Sequence, residues 1–147
     1  SDMLSEDERR AVHFLNLSAQ NQDLPYRPFL RKLNDDEEFD SLSSAKILAI
    51  LICSTNKPLS FDVTEYFRWI TSKLKSSNAS IYDLAVQILE SVLRVPSCRL
   101  QFWNSVQGVD ALVNILKTKN PSPQMQYQII FCFWLLTFEK DIAAQFN

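Results

Sequence analysis

The sequence predicts an all-α protein in which helices stack side by side, and three observations carry that prediction. Glycine is nearly absent, Gly108 being the only one in 147 residues, whereas a sheet protein or a phosphate-cradling enzyme needs several for its turns. The six prolines, Pro25, Pro28, Pro58, Pro96, Pro121 and Pro123, all fall between apolar segments, where a missing N–H costs a helix least. The apolar segments themselves recur at helical rather than alternating spacing. At 46% hydrophobic and 22% charged, the chain holds enough apolar material for the core of one domain, or part of a longer one.

Taken in order, the elements explain themselves locally. Ser5-Glu6-Asp7-Glu8 has the spacing of a capping box, and Val12, Leu15 and Ala19 follow at helical intervals, so residues 5–19 read as a first helix. Pro25-Tyr26-Arg27-Pro28 opens a short second helix ending at Leu33, closed by the acidic run Asp35-Asp36-Glu37-Glu38. Those four carboxylates are consecutive and cannot converge on one ion, so the run reads as a solvated loop and not a metal site. Residues 41–54 form a third helix with Leu42, Ala45, Leu48, Ala49 and Ile52 on one face and few polar residues elsewhere, which predicts a central position.

Past Pro58, Asp62 is positioned to cap a helix carrying Val63, Tyr66, Phe67, Ile70 and Leu74. Ser80-Ile81-Tyr82-Asp83 again has capping-box spacing, and Ile81, Leu84, Ala85, Ile88, Leu89, Val92 and Leu93 form the strictest 3.6-residue stripe in the chain. A short segment over residues 98–106 and a helix over residues 108–117 come next. Ser122 and Pro123 then supply a cap and a first-turn proline for the most apolar run, residues 126–138. Nearly every position from Ile129 to Leu136 is apolar, so this helix is expected to have neighbours on most sides, with Trp134 in the core. The run lacks the period-2 alternation of a strand and is shorter than the ~20 residues a bilayer core requires. Residues 140–147 read as a helix that continues beyond this sequence.

These elements repeat. Ala45, Ala85 and Gln128, each at the start of the apolar half of a long helix, stand 40 (85 − 45) and 43 (128 − 85) residues apart. Leu33, Leu74 and Leu116, each ending a shorter helix, stand 41 (74 − 33) and 42 (116 − 74) residues apart. A helical period of this size is the armadillo/HEAT signature, in which no repeat buries its own apolar face and stacking supplies the core. The expected architecture is therefore one domain over residues 1–147, a right-handed armadillo/HEAT superhelix of about three repeats at residues 24–58, 60–106 and 108–147.

Charge and chemistry narrow the function. Residues 1–40 carry 10 acids and 5 bases and residues 41–147 carry 7 and 10, giving a net charge of −2 without the dense basic stripe of a nucleic-acid binder. Lys73, Lys75, Lys117 and Lys119 form two short pairs at helix ends, where positive charge suits the helix dipole. Cys53, Cys98 and Cys132 are odd in number and widely spaced, which fits reduced thiols, two of them in apolar runs, and gives zinc no paired ligands. His13, the single histidine, has no nucleophile at an activating spacing, and one glycine rules out a G-x-x-x-x-G-K-[ST] phosphate loop. Trp69, Trp103 and Trp134 each fall in an apolar helix and read as packing residues. The acidic start lacks a secretory n-region. No cofactor, metal or catalytic residue is expected, and an enzyme is the losing reading.

A stacked solenoid offers instead a concave face lined by the long helix of each repeat. The polar side chains that interrupt those helices, Lys46, Gln87, Glu90, Gln126 and Tyr127, are the candidates for a protein interface. A nuclear-import type adaptor gripping extended peptides would use regularly spaced Trp and Asn there, and Asn is absent from all three long helices.

Gly108-Val109-Asp110-Ala111-Leu112-Val113-Asn114-Ile115-Leu116 resembles the opening of an armadillo repeat's second helix. A more specific series is Pro25-Tyr26-Arg27-Pro28-Phe29-Leu30, Tyr66-Phe67-Arg68-Trp69-Ile70, Leu93-Arg94-Val95 and the run from Gln126 to Phe138. In that order and spacing it resembles the H subunits of the vacuolar-type proton-pumping ATPases (V-ATPases). The resemblance extends from Met3 to the end of the chain and corresponds to the middle of that family's N-terminal armadillo/HEAT lobe. It implies a non-catalytic regulatory subunit on the cytosolic face of vacuolar or other endomembranes. Its implied partners are other pump subunits, above all the elongated helical subunits of the peripheral stalk, with no nucleic acid, membrane insertion or small-molecule substrate.

Overall fold

A computed structural model describes residues 26–34, 37–54 and 63–146, together with Glu6, Arg9 and Arg10. Among the described residues there are eight α-helices, one terminal 3-10 turn and no strand. Of the predicted helix over residues 5–19 only Glu6, Arg9 and Arg10 are described, all three helical, and the predicted cap Asp62 lies outside the described residues. The chain divides into two compact units, Ser1–Phe61 and Asp62–Asn147.

In the first unit, α1 (Tyr26–Lys32) packs on α2 (Glu38–Cys53). Tyr26, Phe29 and Leu33 are buried, and the Ser41 hydroxyl at the start of α2 donates to the Leu33 carbonyl at 3.0 Å, tying the start of α2 to the end of α1. α2 is buried round most of its circumference, because Ser41, Ser44, Ala45, Ile47, Leu48, Leu51 and Ile52 are all buried and point to several sides. Leu42, Lys46, Ile50 and Cys53 form the narrow strip that stays partly open. Leu42 thus sits at the edge of the buried face and not in it.

The second unit contains α3 (Thr64–Leu74), α4 (Ala79–Leu93), α5 (Pro96–Trp103), α6 (Gly108–Thr118), α7 (Pro123–Leu136) and α8 (Lys140–Ala143), ending in the 3-10 turn Ala144–Phe146. Its most extensive packing joins α4 to α7, followed by α3 against α4 and α3 against α6, while α5 touches α4, α6 and α7. The stripe read on α3 is buried as Tyr66, Phe67, Ile70 and Leu74, and its Phe67 ring meets the fully buried Phe102 of α5 at 5.7 Å between centroids. Ala85, Ile88, Leu89, Val92 and Leu93 of α4 are buried, as are Leu112 and Ile115 of α6 and Ile129, Cys132 and Leu136 of α7.

Side chains cap the starts of α4 and α7, one of them at a different residue from the one read. α4 begins not at a Ser80 capping box but at Asn78, whose carboxamide oxygen accepts from the Ser80 N–H at 2.9 Å. Asn is as strong a cap as Ser and stands two residues earlier, so it takes the orphan donor first. α7 starts as read: the Ser122 hydroxyl accepts from the Met125 N–H at 3.2 Å, with Pro123 in the first turn. α6 begins after Gln107, which holds a left-handed φ of 63°. Gly108 is needed there for lack of space, since a Cβ on it would come within 2.9 Å of the Phe102 ring.

A larger correction concerns α7. Its all-round apolar sequence suggested neighbours on most sides and a buried Trp134, but Trp134 is 52% exposed and Ile130 59%. α4, α5 and α6 all pack on the face made by Met125, Ile129, Cys132, Leu135 and Leu136. The opposite face carries aromatic rings that lean on one another along the helix axis. Apolar composition reports that a face can be buried, and nothing local reports whether a neighbour is there to bury it.

Candidate functional site

The five polar candidates fall on three helices. Lys46 is half-buried on α2 of the first unit, within the narrow open strip. Gln87 is exposed on α4, one turn before Ser91, whose hydroxyl donates to the Gln87 carbonyl at 3.1 Å. Glu90, on the next turn, lies 3.5 Å from the Arg94 guanidinium, with side-chain exposures of 21% and 59%. A pair so exposed and so long is worth little to stability. The same Arg94 guanidinium lies over the neighbouring helix, its carbon 4.9 Å from the centroid of the Phe131 ring.

On α7, Gln126 is exposed and folds its amide back onto the Pro121 carbonyl at 2.9 Å, which leaves it as much a brace for the helix start as a contact residue. Tyr127 is 67% exposed, and its ring lies nearly parallel to Phe131 at 6.3 Å. Phe131 therefore joins what the sequence offered separately: Tyr127 stacks on it, Arg94 covers it, and Glu90 lies 3.5 Å from Arg94. The other two candidates of this unit stay apart from that chain of contacts, and Lys46 belongs to the first unit.

Sequence reading missed two parts of this surface. One is the run of rings: Phe131 meets Trp134 at 5.3 Å and Trp134 meets Phe138 edge-on at 4.7 Å, continuing the line from Tyr127. The signal was present as aromatic residues at i, i+4, i+7 and i+11, hidden by apolar residues on the other faces. The other is Arg99, which is buried although charged. Its Nε donates to the Leu93 carbonyl at 2.8 Å and one Nη to the Arg94 carbonyl at 3.2 Å, satisfying the last carbonyls of α4. The other Nη lies 3.6 Å from Glu139, and the guanidinium carbon stands 5.3 Å from the Phe138 ring centroid. One side chain thus closes α4 and anchors the turn into α8.

The thiols and tryptophans are sorted by burial. Cys98 and Cys132 are buried while Cys53, expected in the apolar run, is exposed at the last turn of α2. Burial, reinforced by the Glu90 carboxylate and only partly offset by Arg94, pushes the Cys132 thiol up to about 12, which makes it a poor nucleophile. Trp69 is buried with the Lys73 ammonium 5.5 Å from its ring centroid, and Trp103 is half-buried. Among the described residues, no group of three His, Cys, Asp or Glu could hold a metal ion. No helix among them is long and apolar enough to cross a membrane.

Among the described residues the chain is all-helical, and its conspicuous surface feature is the exposed run of aromatic rings on α7. Residues 1–147 match the family model of the V-ATPase H subunit over their whole length, and the chain belongs to that family. Among curated proteins it is 32% identical to the H subunit of the V-type proton ATPase of Dictyostelium discoideum, over all of this chain and 34% of that protein. It is 33% identical to the H subunit of the V-type proton ATPase of Drosophila melanogaster, over 99% of this chain and 31% of that protein. The chain thus spans about a third of the length of these relatives.

Proposed function

We propose that this chain is part of a non-catalytic regulatory subunit of a vacuolar proton-translocating ATPase, where it acts as a protein-binding scaffold. The observation that carries the reading is the family match over all 147 residues. In this reading the helices continue the 40–43-residue period as a right-handed armadillo/HEAT superhelix of about three repeats, at residues 24–58, 60–106 and 108–147. Helix pairs that cannot bury their own apolar faces gain stability by stacking and leave the polar sides of their long helices for a partner.

The partner in this reading is the peripheral stalk of the pump, made of elongated helical subunits, and the docked subunit supports activity of the assembled enzyme on the cytosolic face of vacuolar or other endomembranes. Lys46, Gln87, Glu90, Gln126 and Tyr127 are the proposed contact residues. All five reach solvent at least in part, as contact requires. A pull-down of the purified chain against the reconstituted stalk heterodimer tests this. Saturable retention of the heterodimer is expected, and its absence at micromolar concentrations of both overturns docking through this part of the subunit.

A further inference from the structure

The stretch Asn120-Pro121-Ser122-Pro123 holds the one Ser-Pro or Thr-Pro dipeptide of the 147 residues, with a second proline before the serine. Two prolines leave Ser122 little choice of conformation, because the following ring excludes the helical region and Pro121 fixes its own φ. Ser122 accordingly stands extended, at φ −58° and ψ 158°, and is exposed. The proline after it also selects which enzyme can read it. A pocket that buries the residue next to the reacting hydroxyl strands the N–H of any residue there except proline, which has none. Proline-directed kinases are built on this discrimination and take their serine from an extended backbone.

The surroundings suit a phosphate. Ser122 caps the 14-residue α7, and its hydroxyl already accepts from the Met125 N–H at 3.2 Å. Pro123 brings no N–H, so Gln124 is the first donor of the helix, and the helix itself offers that donor no acceptor. Ser122 also lines an open cleft of about 270 Å³ together with Ala79, Ser80, Tyr82 and Asp83 at the start of α4. A space of that size holds several waters, and therefore the three oxygens of a phosphoryl group. Ser80 and Tyr82 add hydroxyl donors to its wall, and Asp83 is the one charged side chain there. The Asp83 carboxylate opposes a second anion, but it is half-buried and screened by water, whereas the amides of α7 bond to the phosphate directly.

We propose that Ser122 is a phosphorylation site for a proline-directed protein kinase. The serine Oγ attacks the γ-phosphorus of ATP as the bridging bond to the β-phosphate breaks, ADP leaves with the electron pair, and the hydroxyl proton passes to the base of the kinase. The product replaces a neutral cap by one carrying about −1.5 to −2 charges at pH 7. Its oxygens accept from the Gln124 and Met125 N–H groups at the positive end of the helix dipole, so modification tightens the start of α7. The assignment depends neither on the stalk as partner nor on the superhelix.

The test incubates the full-length folded subunit with magnesium and ATP and either a cyclin-dependent or a mitogen-activated kinase, both proline-directed. Phosphate is mapped by mass spectrometry. Pro123→Ala keeps the serine and the helix start but removes the signal for the kinase, with melting temperature as the control for folding. Ser122 is expected to be phosphorylated about tenfold faster in the parent than in Pro123→Ala. An equal rate in Pro123→Ala overturns the site. So does a folded subunit that neither kinase modifies at Ser122, even where a free peptide of residues 116–128 is modified, since the fold then withholds the hydroxyl. In the phosphorylated subunit, hydrogen exchange across residues 124–127 should slow about threefold. Exchange that is unchanged or faster overturns the charged cap.

Discussion

The Arg99 guanidinium donates from Nε to the Leu93 carbonyl at 2.8 Å, so a buried cation on α5 closes the C-terminus of the helix before it. Two further contacts follow from the same planar group, to the Arg94 carbonyl and towards Glu139. The geometry needs a fork of donors in a fixed plane, which lysine lacks. Arg99→Ala should cost about 2–4 kcal/mol, since it strands buried carbonyls and removes packing over Phe138. Arg99→Lys should recover less than half of that in urea unfolding. A lysine variant as stable as the parent would reduce the role of Arg99 to its charge.

Exposure separates the aromatic residues. Phe102→Ala, at a fully buried ring against Phe67, should cost about 3–5 kcal/mol. Trp134→Ala removes a larger side chain but one already half in water, and should cost under about 1.5 kcal/mol because little cavity is left behind. Paired denaturation curves decide the order. A Trp134→Ala loss equal to that of Phe102→Ala would mean that the run of rings is covered in solution.

Gly108→Ala tests the close approach at the start of α6. The added Cβ would press on the Ser105 hydroxyl oxygen and lie 2.9 Å from a Phe102 ring carbon. Ser105 can turn away, though it gives up its donation to the Phe102 carbonyl, while the Phe102 ring is fully buried and has little room to move. A destabilisation of about 1–3 kcal/mol is expected from the overpacking, despite the helix propensity of alanine. A stabilised variant would show that Phe102 moves at little cost.

The double change Gln87→Ala with Glu90→Lys probes the proposed interface on α4. Removing the long, exposed Glu90–Arg94 pair and placing two cations four residues apart should change stability by less than about 1 kcal/mol. Binding to the stalk heterodimer should weaken, more at low salt than at high, because a rim charge acts chiefly on association. Affinity unchanged at both salt concentrations, with melting temperature as control, would move the interface off this face.

Alkaline pH should loosen the second unit through Cys132. Burial first, then Glu90, raises this thiol from the ordinary 9.0 to about 12. Above pH 9 the unfolded chain therefore ionises a group that the folded chain keeps neutral. The stabilisation is complete below pH 9 and is lost as pH rises to about 12, by roughly 4 kcal/mol in all. Tyr26, raised by burial from 10.0 to about 12, adds the same sign in the first unit between pH 10 and 12. Urea unfolding from pH 8 to 11 should show the decline, and Cys132→Ala, although less stable at pH 8, should show a shallower one. At pH 8 a thiol reagent should label Cys53 in the native chain and leave Cys98 and Cys132 intact.

Sequence by itself determined the helices of the described residues, except α5, read only as a short segment over residues 98–106, and nearly all their joints, because periodicity, proline placement and the Ser122 cap are local properties that act within a few residues. It also determined the buried stripes of α3 and α4, apart from the half-buried Leu84, where polar residues on the far side leave one orientation to choose. Where apolar residues surround a helix, the pattern stops discriminating, and tertiary structure decided. α2 and α7 look alike in this respect, yet α2 is enclosed on most sides and α7 keeps its aromatic face in water. The candidate surface divides in the same way. Glu90 and Tyr127 were legible as polar interruptions of apolar helices, but what connects them, Phe131 beneath Arg94, depends on the packing of α4 against α7 across the 37 residues (131 − 94) that separate the two side chains. Arg99 was illegible for the same reason: a charged residue reads as surface until the fold supplies carbonyls for it to bind.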